Sequence, residues 1–234
     1  MSSVDVSPAS TVAAAAGRER GFHLGRFLRN AAIVAAVIGA CVGLWFGVLR
    51  DRIVAKRLGP VTATIYRSGQ LSEYVVGPVL SSRGIQHILD LNQLDEDDPG
   101  RVKEYEVAKE LNVAISNFPL IGDGTGDVGV YTDAVAALIE ADRTGVITLV
   151  HCSAGTQRTG GVVAAFRMLY QGWTPEAALD EARQYDWKDE DRPMAQYLAE
   201  HLPEIRKRLI DRGALAPSAP NPVMPPQFAP PRGS

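Results

Sequence analysis

One ten-residue segment carries most of the side chains that could do chemistry: His151-Cys152-Ser153-Ala154-Gly155-Thr156-Gln157-Arg158-Thr159-Gly160. It follows a continuous apolar run, Val146 to Val150, and precedes a predicted helix, so we expect a loop between a buried strand and a helix N-terminus. Such a loop directs several backbone N–H groups into one concavity, and the helix dipole adds partial positive charge there. The segment therefore predicts a site for a tetrahedral oxyanion.

The side chains of this loop complement the predicted anion site. A cysteine at the mouth of such a loop has its thiol pKa lowered from about 8.5, which favours a thiolate at neutral pH. Gly155 permits backbone torsions that a side chain forbids, and Arg158 offers a planar fork for two phosphate oxygens. A cysteine after an apolar strand is usually a small buried hydrophobe. The conjunction of His151, Cys152, Gly155, Arg158 and Thr159 favours catalysis instead.

The segment HCSAGTQRTG resembles the signature loop of the cysteine-dependent protein tyrosine and dual-specificity phosphatases, His-Cys-x5-Arg-Ser/Thr. Three other segments are similar to the compact atypical members of that family, so the resemblance covers roughly residues 60–190: Tyr66-Arg-Ser-Gly-Gln70, Gly84 to Leu91 and Phe118-Pro-Leu120.

The resemblance implies a mechanism and a role for each loop residue. Cys152 attacks phosphorus and forms a cysteinyl-phosphate intermediate, and Thr159 hydrogen-bonds the sulfur and eases its departure. His151 helps to set the loop geometry and the thiolate. No metal or other cofactor is implied. The implied phosphate-binding residues are Ser153, Ala154, Gly155, Thr156, Gln157 and Arg158.

The family also uses a general acid, an aspartate on a movable loop that precedes the signature loop. The segment GDGTGD at 122–127 offers Asp123 and Asp127, and its glycines suit a mobile loop. Asp127 directly precedes a predicted helix and would serve as its N-cap. We therefore favour Asp123 as the acid, with Asp127 as the alternative.

Charge narrows the substrate class. The chain has a net charge of −3, which argues against a general nucleic-acid binder, and residues 58–234 carry 16 basic and 24 acidic side chains. The variable loop positions are all neutral, so a polyanionic substrate is disfavoured. A protein phosphotyrosine or phosphoserine/threonine is the expected substrate. A small-molecule, inositol or lipid phosphate is the alternative substrate, and a non-catalytic phosphate-recognition module is the alternative function.

The cysteines and histidines give no sign of a metal site. Two cysteines exclude a disulfide scaffold and a four-cysteine zinc site, and the four histidines are scattered without metal-ligand spacing.

The N-terminal part of the chain predicts a membrane anchor. Residues 31–49 contain no charge and are long enough to cross the hydrocarbon core, which predicts a single-pass transmembrane helix. Five basic residues follow this run closely and four precede it, which favours a cytoplasmic catalytic domain. A cleaved signal peptide is disfavoured by the length of the run. The segment Ile38-Gly-Ala-Cys41 resembles a bacterial lipoprotein cleavage box, but more apolar sequence follows it.

Strand and helix patterns alternate over residues 58–213, which predicts one α/β catalytic domain with a central, largely parallel sheet flanked by helices. Asp98-Pro99 predicts a helix start, and Val102, Tyr105, Ala108 and Leu111 mark one apolar face of that helix. Pro203 is expected to break the last helix. Residues 1–30 are expected to be a disordered basic segment, and 214–234 a disordered proline-rich tail.

Overall fold

The structure is a computed structural model that describes residues 11–45, 53–95 and 97–229. The chain divides into two compact units, Met1–Arg50 and Asp51–Ser234. The helices and strands follow in this order: α1 (Thr11–Leu44), β1 (Gly59–Pro60), β2 (Ile65–Gly69), α2 (Val76–Arg83), β3 (His87–Asp90), α3 (Pro99–Glu110), β4 (Ala114–Asn117), α4 (Val128–Thr144), β5 (Thr148–Cys152), α5 (Gln157–Leu169), α6 (Pro175–Gln184), α7 (Arg192–Asp211) and a 3-10 turn (Pro226–Phe228).

The second unit is built on a five-stranded sheet with the order β1-β2-β5-β3-β4. Only β1 is antiparallel to its neighbour, and the other pairs are parallel. In the register of the central strand β5, Cys152 lies opposite Gly69, and His151 lies opposite Asp90. The carboxyl ends of three strands therefore meet at one edge of the sheet. The predicted α/β architecture is confirmed.

The two faces of the sheet carry different helices. Buried side chains of α2 and α3 pack with Leu149 of β5, whereas those of α4 to α7 pack with Val150 and Cys152. Because successive side chains of a strand point to opposite faces, His151 faces α3 and Cys152 faces the other side. Every residue of α5 from Thr159 to Leu169 is buried. This helix lies in the core, with its N-terminus at the end of β5.

The helix α3 begins as predicted but buries charged side chains. The Asp98 carboxylate accepts hydrogen bonds from the backbone N–H groups of Gly100 and Arg101, so it is the N-cap. Of the four residues on the apolar face, only Ala108 is buried, because Val102, Tyr105 and Leu111 are 45%, 37% and 42% exposed. The charged residues Arg101 and Glu104 are buried instead. The reason is electrostatic, because the sheet presents Asp90 and His151 to this helix, and the buried charges of α3 pair with them.

The helix α7 runs unbroken from Arg192 to Asp211 with Pro203 inside it, so the predicted break is wrong. Pro203 lies on the exposed side of the helix. Leu202, Ile205 and Leu209 are buried on either side of it and hold both halves of the helix against the core. Packing of the apolar face outweighs the one backbone hydrogen bond that proline removes.

The predicted disorder of the C-terminal tail is wrong for residues 214–229. Leu215, Met224 and Phe228 are buried in the main core cluster. The Arg206 guanidinium donates hydrogen bonds to backbone carbonyls of the tail, those of Pro217, Ala219 and Pro220. An extended proline-rich chain leaves its carbonyls without strand partners, and one arginine satisfies three of them. Residues 230–234 lie outside the described residues.

The first unit is represented by α1. Among the described residues, one helical segment is long and apolar enough to cross a membrane, Gly25–Leu44, and none of it is buried. It overlaps the predicted span 31–49, of which residues 46–49 lie outside the described part. The helix begins at Thr11, within the segment 1–30 that was predicted to be disordered. The alanine run at 13–16 has a high helix propensity and explains the earlier start. Residues 1–10 lie outside the described part.

Candidate active site

The segment 153–156 connects the end of β5 to the start of α5, which is the strand–loop–helix arrangement that the sequence predicts. Cys152 is the last residue of β5 and is almost completely buried at 1% exposure. The backbone N–H of Gly155 donates a hydrogen bond to its Sγ at 3.1 Å. The sulfur therefore lies at the base of the loop, close to the positive end of the α5 dipole.

The carbonyl groups of this loop accept hydrogen bonds from residues that lie outside the loop. Three successive ones accept hydrogen bonds: Ser153 O from Gln70 N at 3.2 Å, Ala154 O from Arg57 Nη1 at 2.8 Å and Gly155 O from Arg67 Nη2 at 2.9 Å. In a trans peptide the N–H points opposite to the C=O. The N–H groups of the next residues are therefore directed to the inner side of the loop. Successive N–H groups in this orientation form an anion-binding concavity.

The loop lies directly against the end of β2. Gly155 has a φ of +79°, and a Cβ there would lie 2.5 Å from the backbone nitrogen of Gly69. A Cβ on Gly69 would lie 2.8 Å from the Ala154 carbonyl oxygen. Both positions therefore require glycine. The segment Tyr66-Arg-Ser-Gly-Gln70 therefore packs directly against the loop.

Arg158 lies at the mouth of the loop, half-buried. Its Nη2 donates to Ser153 Oγ at 3.2 Å, and Ser153 Oγ donates in turn to Asn92 Oδ1 at 2.7 Å. Arg158 and Ser153 line a polar cavity of about 320 Å³. These two successive hydrogen bonds hold the guanidinium beside the concavity.

The other walls of this cavity were missed by the sequence analysis. They include Asn92 and Asp95 from the loop after β3, together with the helix cap Asp98. No residue of this loop was predicted to belong to the site. The parallel pairing of β3 with β5 is the signal that could have found it, because loops at the carboxyl ends of adjacent parallel strands lie together.

The environment of Cys152 stabilises its thiolate. Burial alone raises the pKa of the Cys152 thiol. The Thr159 hydroxyl, the Arg158 charge and the backbone N–H groups of Thr159 and Gly155 oppose burial and lower the pKa below its ordinary value. Cys152 and Thr159, the predicted nucleophile and its partner, are thus brought together and both are buried.

A buried histidine lies directly before Cys152. His151 Nε2 is 3.2 Å from the Glu104 carboxylate, and both side chains are fully buried. Burial lowers the pKa of His151, but the charge and hydrogen bonding of Glu104, followed by the charges of Asp90 and Cys152, raise it to about 9. The raised pKa favours the imidazolium form of His151 at neutral pH. Asp90 also pairs with Arg101 at 3.0 Å, so the charges behind the loop are balanced.

A buried cation, Arg67, supports the loop from the opposite face. Its guanidinium carbon lies 3.9 Å from the centroid of the Tyr185 ring. Burial lowers the pKa of Arg67 to about 10, against the raising effects of Glu181, Tyr185 and Cys152. The group still carries its charge at neutral pH and contributes to the positive environment of the sulfur.

The two candidate acids lie on the loop between β4 and α4. Asp127 Oδ1 accepts a hydrogen bond from Val130 N at 3.0 Å, so Asp127 is an N-cap, as expected. Asp123 Oδ1 accepts hydrogen bonds from the backbone N–H and the hydroxyl of Thr125, and both aspartates are exposed. A Cβ on Gly124, whose φ is +89°, would lie 3.2 Å from the Gln157 carbonyl carbon. The loop therefore rests against the first residue of α5.

The site offers hydrogen-bond donors and cations, which suit an anion. Over the described residues, no group of three or more His, Cys, Asp or Glu side chains is placed to hold a metal ion. The donors that face the concavity are backbone N–H groups and the Arg158 guanidinium. These groups match the oxygens of a phosphate.

Known proteins resemble the chain in both sequence and structure. It is 35% identical over 79 residues to the dual specificity protein phosphatase TpbA of Pseudomonas aeruginosa (strain UCBPP-PA14), a match that covers 34% of this chain and 35% of TpbA. The structural alignment with a crystal structure of TpbA covers 66% of this chain and 91% of the TpbA chain, with a TM-score of 0.54 and 23% identity. The alignment with the core catalytic domain of the PP-IP phosphatase SIW14 from S. cerevisiae covers 70% of this chain and 96% of that domain, with a TM-score of 0.55 and 19% identity. No protein-family model matches the chain.

The chain has the fold of these phosphatases. The dual-specificity-phosphatase fold expected from the signature loop is thus confirmed. The sequence match spans about a third of the length of TpbA, whereas the structural match spans nearly all of its resolved chain.

Proposed function

We propose that the chain is a cysteine-dependent phosphatase that hydrolyses phosphate monoesters through a cysteinyl-phosphate intermediate. One observation carries the proposal: a buried cysteine with a lowered thiol pKa lies at the base of a loop whose carbonyls are held outward, with Arg158 at its mouth. These features supply a nucleophile and an anion cradle in one place.

In the proposed first step, Cys152 Sγ forms a bond to phosphorus while the bond from phosphorus to the ester oxygen breaks. Arg158 and the N–H groups of 153–158 bind the three non-bridging oxygens. Asp123 donates a proton to the leaving oxygen, and Asp127 is the alternative donor.

In the second step, water attacks phosphorus, the deprotonated Asp123 accepts its proton, and the thiolate leaves. The Thr159 hydroxyl stabilises the departing sulfur. Inorganic phosphate is released, and the acid and the nucleophile return to their starting states.

A phosphorylated protein is the proposed substrate. Residues 58–234 are acidic overall, and the variable positions of the loop carry no charge, which disfavours a substrate with several phosphates. The alternative is an inositol, lipid or other small-molecule phosphate. The similarity of the fold to a PP-IP phosphatase and the presence of a helix long enough to span a membrane favour that alternative.

Turnover of an aryl phosphate by the full chain, in detergent and with a metal chelator, tests the proposal. We expect metal-independent turnover that Cys152→Ser abolishes, while vanadate still binds to the variant. Cys41→Ser is the matched control, because it removes the other cysteine of the chain and should leave turnover unchanged. Vanadate binding without turnover in the unaltered chain would instead support a phosphate-recognition module.

The same preparation tests the substrate class. Phosphotyrosine and phosphoserine peptides are compared with an inositol polyphosphate and with vesicles that contain a phosphoinositide. We expect the highest kcat/KM on a peptide. A higher kcat/KM on the phosphoinositide or on the inositol polyphosphate would instead support the alternative substrate class.

A further inference from the structure

A short segment before β1 contacts the outer side of the catalytic loop. Lys56 O accepts a hydrogen bond from Gly69 N at 2.8 Å, and Arg57 Nη1 donates to Ala154 O at 2.8 Å. Arg57 Nε also donates to Asp186 Oδ2 at 2.8 Å. One guanidinium therefore joins the loop to the turn after α6. The donors of arginine diverge in a fixed plane, which allows both bonds at once.

The backbone at both ends of this bridge is in an unusual conformation. Arg57 has a φ of +48° and Asp186 a φ of +67°. Among the described residues only one other non-glycine residue, Asn112, has a positive φ. Such conformations persist where the surrounding structure enforces them, and they concentrate at functional sites. The ion pair itself is partly exposed, with side-chain exposures of 30% and 67%, so it adds little to the stability of the fold.

The peptide that Arg57 holds also contacts the nucleophile. The Ala154 carbonyl and the Gly155 N–H belong to one peptide group, and that N–H donates to Cys152 Sγ at 3.1 Å. Gly155 follows with a φ of +79°, and glycine tolerates both signs of φ, so rotation of this peptide meets little resistance from the residue itself. The flanking carbonyls are held by Gln70 N and by buried Arg67, but the middle one is held by Arg57.

We propose that Arg57 is a positioning residue that fixes the peptide between Ala154 and Gly155, so that its N–H stays directed at the Cys152 sulfur. The segment that precedes β1 thereby sets the reactivity of the catalytic loop. This inference deepens the proposed function, because the same N–H lines the concavity that is assigned to phosphate.

The test compares Arg57→Ala and Asp186→Asn with a control, Arg83→Ala, in a full-length Cys41→Ser background. Arg83 is an arginine of the same unit whose described interaction is with the Tyr66 ring. The rate of Cys152 alkylation by iodoacetamide is measured against pH, and vanadate affinity and kcat and KM are measured in parallel. The alkylation profile requires no turnover, so it tests the role of Arg57 even where the phosphatase assignment fails.

In Arg57→Ala we expect the alkylation profile to move to higher pH, because the thiolate loses an N–H donor. We also expect about a tenfold loss of vanadate affinity with the thermal midpoint nearly unchanged. Asp186→Asn should shift both in the same direction by less, and the double variant should show less than the sum of the two effects. An Arg57→Ala profile that coincides with that of Arg83→Ala would overturn the inference. The inference would also be overturned if the effects of Arg57→Ala and Asp186→Asn on the alkylation profile and on vanadate affinity were additive in the double variant.

Discussion

Two opposed effects act on the pKa of the Cys152 thiol. Removal from water disfavours the thiolate, while Thr159, Arg158 and the N–H groups of the loop favour it, and the second group of effects is the stronger. The Cys-x5-Arg spacing makes most of these groups predictable, because they are close in sequence. Arg57 and Arg67 were not predictable, because 97 and 88 residues separate them from the carbonyls that they hold.

The proposed role of Asp123 as the general acid can be tested by substitution. Asp123→Asn should lower kcat/KM on a phosphotyrosine peptide by about 10²-fold, because the leaving oxygen then departs without a proton. The loss should be much smaller on an aryl phosphate with a strongly acidic leaving group. The decline of the rate toward alkaline pH, where the acid is deprotonated, should disappear.

Asp127→Asn is the control for Asp123→Asn. Asparagine is also a good N-cap, so α4 should remain capped and the pH profile should keep its alkaline decline. If the decline disappears in Asp127→Asn and persists in Asp123→Asn, the roles of the two aspartates must be exchanged.

Among the helices, α3 supplies the charges that lie behind the loop at residues 152–158. Its Glu104 and Arg101 reach His151 and Asp90, which are opposed in the register of β5 and β3. The alternation of strands and helices in the sequence predicted this layer. The burial of Arg101 and Glu104 was not predicted, because hydrophobic periodicity takes no account of charges that pair across a sheet–helix interface.

The Glu104–His151 pair predicts a pH-dependent stability. The pKa of His151 is about 9 in the folded chain against an ordinary value of 6.5, so the folded state binds the proton more tightly. The resulting stabilisation is fully present below about pH 6.5 and is lost as the pH rises toward about 9. The free energy of unfolding of the full chain should therefore decrease across this window in urea titrations.

Glu104→Gln should remove most of that decrease and lower the free energy of unfolding by about 3–5 kcal/mol near neutral pH, because it leaves His151 buried without its partner. Glu110→Gln is the control, since Glu110 is exposed at the end of the same helix. An unchanged pH slope in Glu104→Gln would show that another group determines it.

The charge and the hydropathy of the chain both change near the boundary between its two compact units. Residues 1–57 carry eight basic and three acidic side chains, whereas the rest is acidic. The uncharged run predicted a helix of spanning length. The packed tail was not predicted, because its prolines and low charge are also typical of disordered segments, and its three buried apolar residues are widely spaced.

We predict that the full chain is anchored in a membrane through residues 31–49. Expressed in cells, it should sediment with the membrane fraction and resist extraction by alkaline carbonate, since a spanning apolar helix is not released by the loss of surface charge. Protease digestion of sealed vesicles of known orientation should show the catalytic unit on the cytoplasmic side. Release by carbonate would contradict the anchor. An intact mass that shows cleavage before or within the span would establish a processed leader.

The proposed mechanism requires a cysteinyl-phosphate intermediate, and this intermediate can be trapped. The full chain is mixed with a phosphotyrosine peptide, quenched within one turnover and analysed by mass spectrometry. We expect a phosphoryl group on the sulfur of Cys152, formed and lost at rates that match turnover and absent from Cys152→Ser. Sustained turnover with Cys152 unmodified, or turnover that survives in Cys152→Ser, would contradict the proposed mechanism.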